Sequence, residues 1–300
     1  MTTYDVLLGA VHLLICVPSL VLNVAIGLTI HLSRDIYKSP SYKILQQLNL
    51  AYFIHSTVHL GVGITILADI DDHNTVKKLL GAFTDVGWIG IMFLNFLLCL
   101  ERLNVTVLKN PFKLRCSAFT IVSLLAWLPG IVLFLFDLTP YVTFYFNAES
   151  AQWDFMGEFS QAIIEASQVL TFTILPSTFI CYILIYAHLA KQRRFYTQAA
   201  FQRRPSIELH VLFAATLMFL YQFLEELMYF VLYTVGEGSY WGRLTVHLLF
   251  VALPMFSHVV QLIFNRSLRK DFQNRFVRLK NAQKNSVQHV QNSSLVTTVS

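Results

Sequence analysis

Apolar residues gather into seven long runs separated by short polar stretches, and that rhythm dominates the chain. A helix needs roughly 20 apolar residues to cross about 30 Å of hydrocarbon. The runs cover residues 6–32, 44–68, 79–103, 118–138, 162–189, 207–235 and 241–264. No Lys or Arg falls in the middle of any of them, although Asp85 and Arg243 lie in the outer turns of the third and seventh. The pattern predicts an all-α membrane protein, a bundle of seven transmembrane helices. Just past the last run, Leu268, Phe272, Phe276 and Leu279 recur at spacings of four, four and three, with Arg269, Lys270, Arg275 and Arg278 on the remaining arc. That predicts a short, basic, amphipathic eighth helix lying on a lipid surface. The seven-helix domain is therefore expected over residues 1–279, with a polar, disordered tail over 280–300.

Composition agrees. Hydrophobic residues make up 55% of the 300 and charged residues 13%, about half the charge of an ordinary soluble domain. A water-soluble fold of this size has too little interior for so many apolar side chains; a bilayer supplies the second apolar solvent. The net charge of +5 does not point to nucleic acid, because the basic residues sit between apolar runs and form no single basic face.

Their placement sets the orientation. With the amino terminus outside, all of the 22 basic residues except Lys77, Lys78 and Arg243 fall on the cytoplasmic side. Positive residues are held back there during insertion, and an even number of spans would spoil the asymmetry. The segment before the first run has no basic residues, and that run is too long for a cleavable signal, so it is expected to remain as a helix. Cys16, Cys99, Cys116 and Cys181 all avoid the segments expected outside, so no extracellular disulfide is expected. The glycosylation sequons at Asn104, Asn265 and Asn292 fall on the inner side and should stay unmodified.

Several short motifs then acquire meaning. Asn23 within SLVLNVAIG, LNLA over residues 48–51, CLERL over 99–103, Trp127, Pro176 and FNRSLRKDF over 264–272 together resemble the marks of a G-protein-coupled receptor. Departures are as informative. No cysteine pair can tie the third helix to the second outer loop, and Ile54 stands where the family has an acidic residue. The sixth helix lacks the Trp-x-Pro element, and SHVVQ over 257–261 occupies the place of Asn-Pro-x-x-Tyr. So altered a pattern in so short a chain resembles the nematode serpentine chemoreceptors, without assigning a class among them. The resemblance implies a small environmental or pheromone-like ligand, a heterotrimeric G protein as partner, no cofactor, no enzymatic activity, and the plasma membrane, as in a sensory cilium.

Candidate residues follow. Glu101 and Arg102 end the third span at the inner face, where an Arg can pair with a carboxylate and later release to meet a partner. Glu208, at the inner start of the sixth span, is a candidate lock partner; the alternative is that Arg102 only snorkels to the headgroups. Glu225 and Glu226 lie about 27 Å into the sixth span, where a lipid-facing carboxylate costs up to roughly 3 kcal/mol, so at least one should face the bundle interior. Gln222 and Tyr229 share a face with Glu226. Asp85 lies about 25 Å outward from Arg102, with Trp88 one turn deeper. Arg243 and His247, four residues apart, complete a polar ring at the outer mouth. In the resembled family this region contacts ligand.

Two rivals were weighed. A transporter or channel calls for paired repeats or broken midplane helices, and the sequence has no internal similarity. An intramembrane metal-dependent hydrolase would rest on His55 and His59, whose i, i+4 spacing can chelate a metal. No third ligand stands out in the sequence, so the expectation is satisfied histidines and no metal. The seventh span has no Lys, which disfavours a retinal pump.

Overall fold

A computed structural model of the chain describes residues 3–33, 39–70, 75–108, 116–195, 206–234 and 239–275. The expected tail over 280–300, Phe276 and Leu279 lie outside them, and so does the side chain of Glu208. Seven helices are long and apolar enough to span a bilayer: Thr3–Leu32, Pro40–Leu67, Thr75–Thr106, Phe119–Asp137, Ser160–Gln192, Leu212–Leu232 and Tyr240–Phe264. They match the seven runs, and the chain is a multi-pass membrane protein.

In chain order the helices are α1 (Thr3–Leu32), α2 (Pro40–Leu67), α3 (Thr75–Thr106), α4 (Cys116–Leu125), α5 (Leu128–Asp137), α6 (Ser160–Phe195), α7 (Ser206–Thr234) and α8 (Tyr240–Phe264). The fourth span is thus two helices. Pro129 has no N–H to give the carbonyl of Leu125, so the regular ladder breaks there, and the helix restarts with Pro129 in its first turn. α3 runs through the middle: 78% of its apolar stretch is buried, against 22% for α6. Lipid takes the place of a core for the remainder, which is why so many Leu, Val and Phe side chains are exposed on α1 and α6.

Close approach of α1 to α2 rests on small residues. A Cβ on Gly63 would stand 2.7 Å from that of His12, and one on Gly9 would stand 2.6 Å from Leu67 Cγ. Lower down, Asn49 Nδ2 donates to the Asn23 carbonyl at 3.1 Å, and the Asn23 side chain meets His258. α8 stops at Asn265, whose N–H reaches Gln261 O at 2.8 Å. The Asn265 side chain then accepts from Leu268 N–H at 3.2 Å and from the Tyr42 hydroxyl at 2.8 Å. That is an N-cap for a further helix, α9, over residues 266–275. Leu268 is buried against Ile26 and Ile30 of α1, and Ser33 bonds Asp271.

One element lay outside the seven-run reading. Between α5 and α6, β1 (Thr143–Asn147) and β2 (Gln152–Met156) form an antiparallel hairpin, with Phe144 opposite Phe155 and Phe146 opposite Trp153. The four-residue connection is fixed by Asn147 Oδ1, which accepts from Glu149 N–H at 3.0 Å. The hairpin covers the end of the bundle where α1 begins, called here the hairpin face; α8 ends at the opposite, tail face. Two glycines allow its descent. A Cβ on Gly81 of α3 would lie 1.8 Å from the Phe144 carbonyl oxygen, and Gly157 adopts φ +116°, a left-handed conformation that suits glycine. Among the described residues Cys16, Cys99 and Cys181 are free thiols.

Candidate functional site

Beneath the hairpin the helices leave a cavity of about 490 Å³, the size range of small-molecule sites. Its walls are largely aromatic, with Trp88 of α3, Phe144, Trp153 and Phe155 of the hairpin, and Phe250 of α8 among them. Trp88 and Phe250 meet edge to face at 5.1 Å, and Phe144 stacks on Phe155 at 4.1 Å.

Polar groups enter from five elements, among them α6 with Ser167, Gln168 and Thr171. α3 supplies Asp85, α7 supplies Glu225, Glu226 and Tyr229, α8 supplies Arg243 and His247, and β2 supplies Asp154. The Asp154 carboxylate is held within the hairpin, by Asn147 Nδ2 at 2.9 Å and Gln152 Nε2 at 2.8 Å. Arg243 Nε donates to the Ser150 carbonyl at 2.9 Å, clamping the hairpin connection onto the start of α8. Others are unanswered: Glu225 Oε2 and Trp153 Nε1 are buried without a hydrogen-bond partner among the described residues. Such groups are costly in an apolar setting and are the natural attachment points for a bound molecule.

Of the residues singled out from the sequence, Asp85, Trp88, Glu225, Glu226, Tyr229, Arg243 and His247 therefore meet around one cavity. Gln222 lies apart from it. Fully buried one turn below Glu226, it accepts from Asn95 Nδ2 at 2.8 Å and ties α7 to α3. Asp137 was not singled out. It ends α5 fully buried, its carboxyl in hydrogen-bond contact with that of Asp85. An acid closing an apolar run was the available signal.

The tail face holds the second cluster. Arg102 Nε pairs with Glu101 Oε2 at 2.9 Å, both side chains nearly enclosed. Ser41 of α2 donates to the same carboxylate oxygen at 2.9 Å and contacts Arg102 Nη2. Among the described residues the ion-pair partner of Arg102 is thus its own neighbour in sequence, held by α2.

The histidines divide. His55 is anchored by one nitrogen: Pro254 leaves the Phe250 carbonyl without an intrahelical donor, and His55 Nε2 occupies it at 3.0 Å, while Nδ1 is buried without a partner among the described residues. His59 is not satisfied, since both its ring nitrogens are buried without partners. The neighbours that sequence spacing did not reveal are His12 on α1 and His247 on α8; one nitrogen of each of His12, His59 and His247 lies within 4.8 Å of the others.

No family model and no curated protein matches the sequence. Among solved structures, the crystal structure of squid rhodopsin superposes with a TM-score of 0.77 at 12% identity, over 92% of this chain and 86% of that one. The fold is rhodopsin-like. At this identity the likeness carries the fold alone.

Proposed function

We propose that the chain is a G-protein-coupled-type chemoreceptor of the plasma membrane, not an enzyme. Its amino terminus and hairpin face outward, and its tail face meets a heterotrimeric G protein. A small molecule binds in the cavity beneath the hairpin. The observation that carries this reading is the pairing of that cavity, with its unanswered Glu225 oxygen and Trp153 N–H, with an ion-paired Glu101–Arg102–Ser41 cluster at the far end of α3. The basic asymmetry that puts the tail inside supports the same orientation, and α9 then lies along the inner leaflet. The residues of the altered motifs resemble those of nematode serpentine chemoreceptors, and a sensory cilium is the membrane they suggest.

Four carboxyl side chains, Asp85, Asp154, Glu225 and Glu226, line the cavity against one guanidinium, that of Arg243. The best-matched ligand has an apolar or aromatic body and a cationic or donor-rich end. It would contact Trp88 and Phe250 with the first and Glu225 and Asp85 with the second. By binding the open bundle more tightly it shifts a two-state equilibrium, and a shift from mostly closed to mostly open asks for several kcal/mol of differential affinity. Arg102, released from Glu101, then becomes available to the G protein.

The test is a panel of small volatile and amine ligands applied to cells carrying promiscuous G-protein reporters. Arg102→Ala serves as the uncoupled control. Responses that require Arg102 support the reading; a panel without any response, together with solute flux or hydrolysis by the reconstituted chain, would move it to the transporter or hydrolase alternative.

A further inference from the structure

We propose that His12, His59 and His247 form a binding site for one Zn²⁺-class divalent transition-metal ion, just under the hairpin between α1, α2 and α8. The geometry stands independently of the receptor reading. The three rings come from three helices, all fully or nearly fully buried, and their ligating nitrogens lie within 4.8 Å of one another. Chance clustering of imidazoles is disfavoured in a bilayer interior, where each adds a polar group that needs a partner.

The hydrogen bonds already fix which nitrogens are free. His12 Nδ1 can only donate to the Leu8 carbonyl, at 2.9 Å, so Nε2 of the neutral ring keeps its lone pair. That is the arrangement by which metal-binding histidines are oriented, one nitrogen donating to a carbonyl and the other facing the ion. His12 Nε2 lies 2.9 Å from His247 Nε2. Two nitrogens on one tetrahedral Zn²⁺ at about 2.0–2.1 Å each stand roughly 3.3 Å apart, so this pair need open by only a few tenths of an ångström, while His59, within 4.8 Å, closes onto the ion. A hydrogen bond between these two rings would satisfy them alone, but it leaves His59 with two buried and unanswered nitrogens. An ion takes one of them. For the other, the available acceptor is His55 Nδ1, itself unpartnered, in a ring whose centroid is 4.5 Å away. The chain of contacts then runs from the ion through His59 and His55 to the Phe250 carbonyl freed by Pro254.

Neutral imidazoles suit Zn²⁺ and Cu²⁺ over Mg²⁺ or Ca²⁺, which prefer oxygen. The fold prepares the position. Gly63 lets α1 approach so closely that a Cβ there would touch His12. From above, Phe146 stacks on His247 at 4.2 Å and Trp153 meets His59 at 5.7 Å. His247 also lines the cavity, which gives an entry path and sets the ion next to an acid-rich space that offsets its charge. Three protein ligands leave one position for water or for a donor atom of a cavity ligand.

The experiment uses the full chain, purified and reconstituted in lipid nanodiscs, titrated with ZnCl₂ and separately with CoCl₂. The expected result is about one Zn²⁺ per chain and a rise in melting temperature with added metal. Bound Co²⁺ should show the strong visible absorption of a low-coordinate site. His12→Gln and His59→Gln should each weaken binding by about 100-fold, since even outer-shell changes cost about 10- to 100-fold. His188→Gln, on the far side of the bundle in α6, should leave it unchanged. Absence of stoichiometric binding to the folded chain, or unaltered affinity in folded His12→Gln and His59→Gln, would overturn the site. If either variant does not fold, the Co²⁺ spectrum of the unmutated chain decides: the weak absorption of hexahydrated Co²⁺ overturns the proposal as well.

Discussion

In the Glu101–Arg102–Ser41 cluster of the tail face the polar side chains bind one another, and under the hairpin several do not. Glu101, Arg102 and Ser41 form a closed set, and Tyr42, Asn265 and Leu268 N–H form a second one beside it. Under the hairpin, Glu225, Trp153 and His59 each keep at least one buried polar atom without a partner among the described residues. Buried polar groups are ordinarily paired, so the contrast separates an end that rests in its present contacts from an end built to receive something. In a receptor the two belong together. Occupancy at the unsatisfied end has to draw its energy from new contacts, and the response at the other has to break existing ones.

Arg102→Ala should break the link between the ends most severely. In the purified chain with a heterotrimeric G protein, ligand-stimulated nucleotide exchange is expected to fall about 100-fold, as for a lost charge-assisted contact of about 3 kcal/mol. Ligand affinity, read by equilibrium binding on the same preparation, should move by no more than about twofold. Equal loss of both would dissolve the distinction between the two regions.

Gly81→Ala attacks the hairpin face directly. Its new Cβ would collide with the Phe144 carbonyl, so the hairpin must lift. A cost of about 2 kcal/mol is expected, in the range of overpacking, visible as a lower melting temperature in detergent. An unchanged melting temperature would mean that the hairpin is not seated on α3.

Glu225→Gln keeps the shape and removes the charge of the most buried cavity carboxyl. A cationic ligand should then need about tenfold more to reach half-maximal response, the effect of roughly 1.4 kcal/mol, while a neutral ligand changes little. Reversal of that ranking would show that charge is not what the cavity reads.

The smallest effect belongs to the tail face. Asn265→Ala removes the N-cap of α9 and the acceptor of Tyr42, and should cost about 1 kcal/mol. Hydrogen exchange confined to α9 and the start of α2 would register it; exchange spread over the whole bundle would point to a larger structural role.

How much of this could be read from the residues follows from what is one-dimensional. Span length and the placement of Lys and Arg are properties of the string, so the seven helices match their runs within a few residues, and the N-capping Asn265 sits where FNRSLRKDF suggested a junction. The hairpin was missed because the span count ignores short elements. Phe144 and Phe146 before the turn, with Trp153 and Phe155 after it, do alternate as a strand pair should. Pro129 likewise marked the break between α4 and α5. The histidine cluster was beyond spacing altogether. Helical periodicity links His55 to His59, yet His55 is drawn away by a carbonyl that Pro254 exposes, and His59 meets His12 and His247 only through the packing of α1, α2 and α8.

The receptor reading depends on the cavity opening outward. Glu149, exposed at the hairpin tip, and Asn274, exposed on α9, lie at opposite ends of the bundle. Each is replaced by Cys, and intact cells are treated with a membrane-impermeant maleimide, with labelling compared against the unmutated chain. The account expects Glu149→Cys to label in intact cells and Asn274→Cys only after permeabilisation. Labelling of Asn274→Cys in intact cells, with Glu149→Cys protected, would contradict it.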